Sequence, residues 1–194
     1  MVNRLPFAFR NTQKRQLDKS VSFVLLIMNK VIAFRTLSFT LLIVWMLLIF
    51  GFSSQNSENS SNTSGTVVSV IIKVACPQYE TLSAEAQASL TDSVTLAVRK
   101  TAHFSEYFIL GLLSFFAAIT FNKFKLIVRA VAACTVSVLY AVIDEIHQYF
   151  VPGRACRFGD MLIDGAGSLL AVALITVLIC KNKKIRNKLG DIYA

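Results

Sequence analysis

The chain predicts an all-α membrane protein with four transmembrane helices, and three observations point there. Of its 194 residues, 55% are hydrophobic and 16% charged, with a mean hydropathy of +0.59, which is too apolar for a soluble domain of this size. Four apolar stretches of spanning length, at about 36–52, 102–121, 126–149 and 161–180, are separated by polar connections. Fifteen of the twenty Lys and Arg residues fall in three groups: residues 1–35, the 123–129 connection and the 181–194 tail. With four crossings all three groups lie on one side. The positive-inside rule makes that side cytoplasmic, so both termini are expected inside. The net charge of +9 is thereby explained without nucleic acid, and no nucleic-acid partner is expected. The expected location is the cell membrane, as a multi-pass protein.

The elements follow in order. Residues 1–35 read as a basic cytoplasmic segment, whose apolar run 21–28 is too short to span. That run suits an interfacial anchor, or a leftover of a start codon placed ahead of Met28. Residues 36–180 form the membrane domain, and 181–194 a basic cytoplasmic tail. After the first span, 53–65 (SSQNSENSSNTSG) is a Ser/Asn-rich linker with nothing to build a core. Residues 66–76 are apolar but too short to cross, and Lys73 interrupts them. They read as a re-entrant or interfacial element that Pro77 ends. Ser83 is a candidate helix cap for a short pattern reaching about Leu90. Within the spans, Gly111, Gly165 and Gly167 suit close helix packing. Arg129 suits snorkelling to the inner surface. The four cysteines show no metal-type spacing. A bridge between Cys76 and Cys156 is open to them, though no spacing requires it.

The informative residues are the polar ones at the other edge of the spans. Charged groups beside hydrocarbon cost several kcal/mol unless paired or hydrated, so they mark functional sites. Two runs carry them, VRKTAHFSEY (98–107) and DEIHQYFVPGRACRFGDMLID (144–164). Helical spacing puts Lys100, His103 and Tyr107 on one stripe, and Arg99, His103 and Glu106 on another. Asp144, His147 and Gln148 share a face of the third span, and Asp160 and Asp164 lie one turn apart on the fourth. Pro152-Gly153 fits a type II turn that would aim Arg154 at the carboxylates.

Three chemistries fit this inventory. His103, Glu106, Asp144, Glu145 and His147 could do acid/base work without metal. Two histidines with carboxylates could hold a divalent metal. Or Arg99, Lys100, Arg154 and Arg157 could clamp an anionic group, with Tyr107, Gln148, Asp160 and Asp164 completing the ligand surface. No cofactor follows from the residues, and a metal-free cluster balanced by its own Arg and Lys is the favoured of these. The bland alternative is an ion-pair network tying three helices together.

These blocks resemble the VanZ-like family, small membrane proteins named for a teicoplanin-resistance determinant. The resemblance rests on Ser53-Ser54-Gln55, Arg99-Lys100-x-x-His103-x-x-Glu106-Tyr107, Tyr140-Ala-x-x-Asp144-Glu145-x-His147-Gln148, and Pro152-Gly-Arg154 followed by Asp160 and Asp164-x-x-Gly167. It implies an envelope role and lowered susceptibility to teicoplanin-type antibiotics, and leaves the reaction open. The expected activity is binding or modification of a phospholipid headgroup or lipid-linked cell-wall precursor at the outer leaflet. A non-enzymatic accessory subunit using the same cluster as a partner surface is the rival.

Overall fold

The computed structural model describes residues 7–55, 57–121, 123–154, 156–182 and 185, with side chains from residue 20 onward except 57–64. The elements are α1 (Phe7–Ser53), α2 (Ser57–Ala75), a single 3₁₀ turn (Tyr79–Thr81), α3 (Ala84–Ile119), α4 (Leu126–Tyr149) and α5 (Phe158–Lys181). No strand occurs among the described residues. Four segments are long and apolar enough to cross a membrane: Ser20–Ser53, Ala84–Ile119, Leu126–Tyr149 and Phe158–Lys181. The chain is a multi-pass, all-α membrane protein.

Helix α3 is the hub, packed on α5, α4, α1 and α2. Its contact with α5 is the closest. A Cβ built on Gly167 would stand 2.4 Å from the Phe104 carbonyl oxygen, and one on Gly111 would stand 2.8 Å from that of Ser168. Backbones this close need glycine, and small residues are how helices gain contact where lipid offers no hydrophobic drive. The Ser168 hydroxyl donates to the Tyr107 carbonyl (3.0 Å) across the same seam. Gly165 is not part of it, since its nearest neighbour, Val138 Cγ2, is 4.0 Å away.

Helix α1 lies along α3 and α4 and buries Ser38, Leu42, Ile49 and Ser53. Arg35 sits over the Phe121 ring, 4.6 Å from its centre, so residues 35–53 run level with the bundle. At 1.5 Å per residue that stretch is about 28 Å, close to the hydrocarbon thickness. It agrees with the expected first span. The difference lies upstream. The helix is unbroken from Phe7, and the apolar residues 21–28 extend it past the basic end of the bundle, exposed. The end of the basic tail, and residues 1–6, fall outside the described residues.

Two expectations between the spans are corrected. The Ser/Asn-rich stretch is helical from Ser57, and 66–75 is the second half of that 19-residue helix. Val68 and Ile72, one turn apart, are buried, and α2 packs on α3. A composition unable to make a core alone borrows one from a neighbour. Ser83 caps α3 as expected, its hydroxyl accepting from the Ala86 amide (3.3 Å). The helix it starts does not stop near Leu90 but continues to Ile119. Its 36 residues measure about 54 Å, well beyond the roughly 30 Å of a hydrocarbon core. The four cysteines are free, which leaves the Cys76–Cys156 bridge unformed. Arg129 does not snorkel freely but donates to the carbonyls of Phe124 (2.8 Å) and Ile119 (3.1 Å), closing the α3–α4 connection.

Candidate functional site

The polar residues meet where α1 and α4 end, α5 begins and α3 passes through. They divide into an internal clamp and a cavity. In the clamp, buried Asp144 accepts through Oδ2 from the Ser53 hydroxyl (2.8 Å) and from Gln148 Nε2 (3.1 Å). Gln148 Oε1 accepts from Arg154 Nη1 (3.1 Å). Arg154 Nε donates to the Gln55 carbonyl (2.9 Å), and Nη2 reaches that of Phe52 (3.4 Å). The last carbonyls of a helix have no partner within it, and a cation there also suits the helix dipole. Arg154 therefore ties the end of α1 to the α4–α5 turn. That turn has the expected form, with Gly153 at φ 75° and the Arg154 amide donating to the Val151 carbonyl (3.1 Å).

The expectation that Arg154 opposes Asp144 or Asp160 is thus corrected. Its guanidinium meets two carbonyls and an amide rather than a carboxylate. Burial, and next the positive charge of Arg99, pull its pKa below the usual guanidinium value, against the neighbouring carboxylates.

His147 also meets the end of α1: it stacks on Phe50 (centroids 4.5 Å apart), and its Nε2 meets the Ser54 hydroxyl (3.1 Å). Asp144 and Gln148, a full turn apart, are joined to each other in the clamp, and His147 lies beside it. Glu145 is fully buried and accepts through Oε2 from the Arg157 amide (3.0 Å), where α5 begins. Arg157 contributes its backbone there and leaves its side chain exposed, as is Lys100. Asp160 is half-buried one turn above Asp164.

The cavity holds about 300 Å³ and is lined by Phe52, Ser53 and Gln55 at the end of α1, Val67 of α2, Val98, Arg99, Ala102, His103 and Glu106 of α3, and Arg154. The α3 residues follow the spacing of one helical face. Behind His103 stands fully buried Asp164, its Oδ1 3.4 Å from His103 Nδ1. This is the one acid–base contact among the described side chains, so the alternative of a multi-helix ion-pair network reduces to a dyad. Nδ1 faces the acid while His103 lines the cavity, an arrangement that holds an imidazole for proton transfer at its other nitrogen.

Around the dyad, His103 Nδ1, Tyr107 Oη, Asp144 Oδ1, Glu145 Oε1 and both Asp164 oxygens are buried without a hydrogen bond among the described residues. Each such group costs on the order of 1–3 kcal/mol. Concentrating them at one junction works against stability, the pattern expected where function sets the residues. No group of three His, Cys, Asp or Glu side chains among the described residues is placed to hold a metal. A second cavity, of about 370 Å³, opens at the basic end between α1, α3 and α4; it is apolar and carries none of this chemistry.

The VanZ/LLP1 family model matches residues 38–179, which spans all four bundle helices and every residue of the cavity. The chain belongs to the VanZ/LLP1 family. No curated protein and no solved structure matches it. Its VanZ-type blocks fall into place accordingly: Ser53 and Gln148 build the clamp, while Arg99, His103 and Glu106 face the cavity. The cavity-lining residues that the candidate set lacked are Phe52, Ser53, Gln55, Val67, Val98 and Ala102, of which Ser53, Gln55 and Val67 are the informative ones. For Ser53 and Gln55 a signal was present, since polar residues directly follow an apolar span. For Val67 there was none, because it comes from a helix that composition hides.

Proposed function

We propose that this VanZ-family protein binds the polar headgroup of an envelope lipid or lipid-linked cell-wall precursor in the Arg99–His103–Glu106 cavity and modifies it. The observation carrying the reading is that a histidine backed by a buried aspartate lines a cavity beside a half-buried arginine with no hydrogen bond or ion pair among the described residues. In this reading Arg99, with Arg154 beside it, holds an anionic group. His103, oriented by Asp164, moves the proton, and Glu106 completes the wall. The polar end faces outward, with both termini inside, supported by the basic residues at the opposite end. The family's association with teicoplanin susceptibility fits a protein acting on envelope headgroups at that face.

One observation favours binding without turnover: the one hydroxyl among the described side chains of the cavity, Ser53, already donates to Asp144, so it is not free to attack. Hydrolysis would then use water or the Glu106 carboxylate as the attacking group. The test is purified full-length protein incubated with defined phospholipids and lipid-linked precursors, with products followed by mass spectrometry. Turnover that His103→Ala abolishes supports the enzyme. Saturable binding without turnover supports the accessory reading, and binding unaffected by His103→Ala and Arg99→Gln would refute the site.

A further inference from the structure

The headgroup site has an uneven charge pattern, and that pattern bears on what it accepts. Arg99 and Glu106 lie seven residues apart on one face of α3, about 10 Å along its axis, with His103 between them. Both are half-buried and line the same cavity, yet neither side chain makes a hydrogen bond or ion pair among the described residues. The other arginine of the cavity wall, Arg154, is held to the Phe52 and Gln55 carbonyls. The depression of its pKa by Arg99 reflects two positive charges close together.

A half-desolvated cation and anion that share a cavity without meeting are each costly until something bridges them. A purely anionic ligand would satisfy Arg99 and be repelled by Glu106. A cationic one would satisfy Glu106 and be repelled by both arginines. A ligand carrying both charges satisfies both ends.

Resting on the headgroup reading above, we infer that the cavity selects a zwitterion: a phosphate ester, held at Arg99, bearing a primary ammonium that Glu106 receives. The amine is primary because a carboxylate accepts its N–H bonds. A quaternary ammonium offers none and is bound by aromatic cages, whereas among the described residues Phe52 is the single aromatic ring in this cavity's wall apart from the imidazole. The apolar residues Phe52, Val67, Val98 and Ala102 suit the glycerol or hydrocarbon portion beside the charged group.

The test is calorimetric titration of the full-length protein in micelles with short-chain diacyl phosphoethanolamine, phosphocholine and phosphoglycerol, and with chainless glycerophosphoethanolamine. The phosphoethanolamine lipid should bind about tenfold tighter than the other two lipids, the discrimination one well-placed charged hydrogen bond brings. Glu106→Gln should bring the three lipids together without weakening phosphoglycerol, and Arg99→Gln should weaken all three. Binding of the chainless ester as tightly as the phosphoethanolamine lipid points to a soluble source, and its failure to bind points to a lipid. Phosphoglycerol binding as tightly as phosphoethanolamine, or Glu106→Gln keeping the preference, would overturn the inference while leaving a headgroup site in place. Binding of no probe would overturn the inference and, with it, the phospholipid form of the headgroup reading. The wild-type comparison needs no variant, so a variant that failed to fold would not spare the inference.

Discussion

Gly167→Ala should be the most damaging small substitution in this chain, and its effect can be worked from the α3–α5 seam. The new methyl would lie 2.4 Å from the Phe104 carbonyl oxygen, 3.2 Å from the Phe108 amide nitrogen and 3.3 Å from the Phe104 carbonyl carbon. All three are backbone atoms, so no side chain can rotate aside. Restoring an ordinary contact of about 3.4 Å requires the helices to part by about 1 Å. Overpacking of this kind costs about 1–3 kcal/mol. For a chain of this length that corresponds to a fall of about 2–12 °C in thermal midpoint.

The same displacement acts on the dyad. His103 adjoins Phe104 on α3, and Asp164 lies one turn before Gly167 on α5, so their 3.4 Å contact would stretch beyond reach. Gly165→Ala is the matched control, two residues away on the same helix, with nothing nearer than 4.0 Å. Thermal unfolding in detergent, alongside headgroup binding, checks both. Gly167→Ala should lose stability and binding together, and Gly165→Ala neither. A Gly167→Ala protein unfolding within a degree of the control would refute the close-seam reasoning.

Other outcomes follow from the clamp, the dyad and the topology. Asp144→Ala, which strands the Ser53 hydroxyl and Gln148 amide, should lower stability by about 1–3 kcal/mol in detergent unfolding. His103→Ala, by contrast, should leave the thermal midpoint near wild type while abolishing turnover or weakening headgroup binding. Arg154→Lys should destabilise by about 1–2 kcal/mol, since an ammonium cannot reproduce the guanidinium fork. It should also speed limited proteolysis near residues 54–57, and an unchanged digestion pattern would count against the tie to α1. A membrane-impermeant thiol reagent on intact cells should modify exposed Cys156 and spare Cys180; the reverse would invert the proposed orientation.

Much of the architecture was legible in the residues. The four spans and the basic end follow from apolar runs and charge placement, because burying unpaired charge in hydrocarbon is costly enough to leave a plain mark. The gathering of His103, Glu106, Asp144, Glu145 and Asp164 at one end was legible for the same reason, and so was the Pro152-Gly153 turn. Helix α2 was not, since Ser- and Asn-rich sequence has no helical signal of its own and Val68 and Ile72 gain theirs from α3.

Sequence alone determined the four spans, which end of each is polar and which family the blocks resemble. Tertiary structure decided the division of labour among the polar groups: Asp144, Gln148 and Arg154 inward as a clamp, Glu145 at the start of α5, His147 against Phe50, and Arg99, His103 and Glu106 into the cavity. The reason is physical. Lipid is as apolar as a packed interior, so hydropathy does not tell a lipid-facing position from a buried one, and the rotation of each helix about its axis leaves no trace in composition. That rotation is set by contacts between helices: the Gly111 and Gly167 approaches, the Ser168–Tyr107 bond and the Arg154 reach to the end of α1.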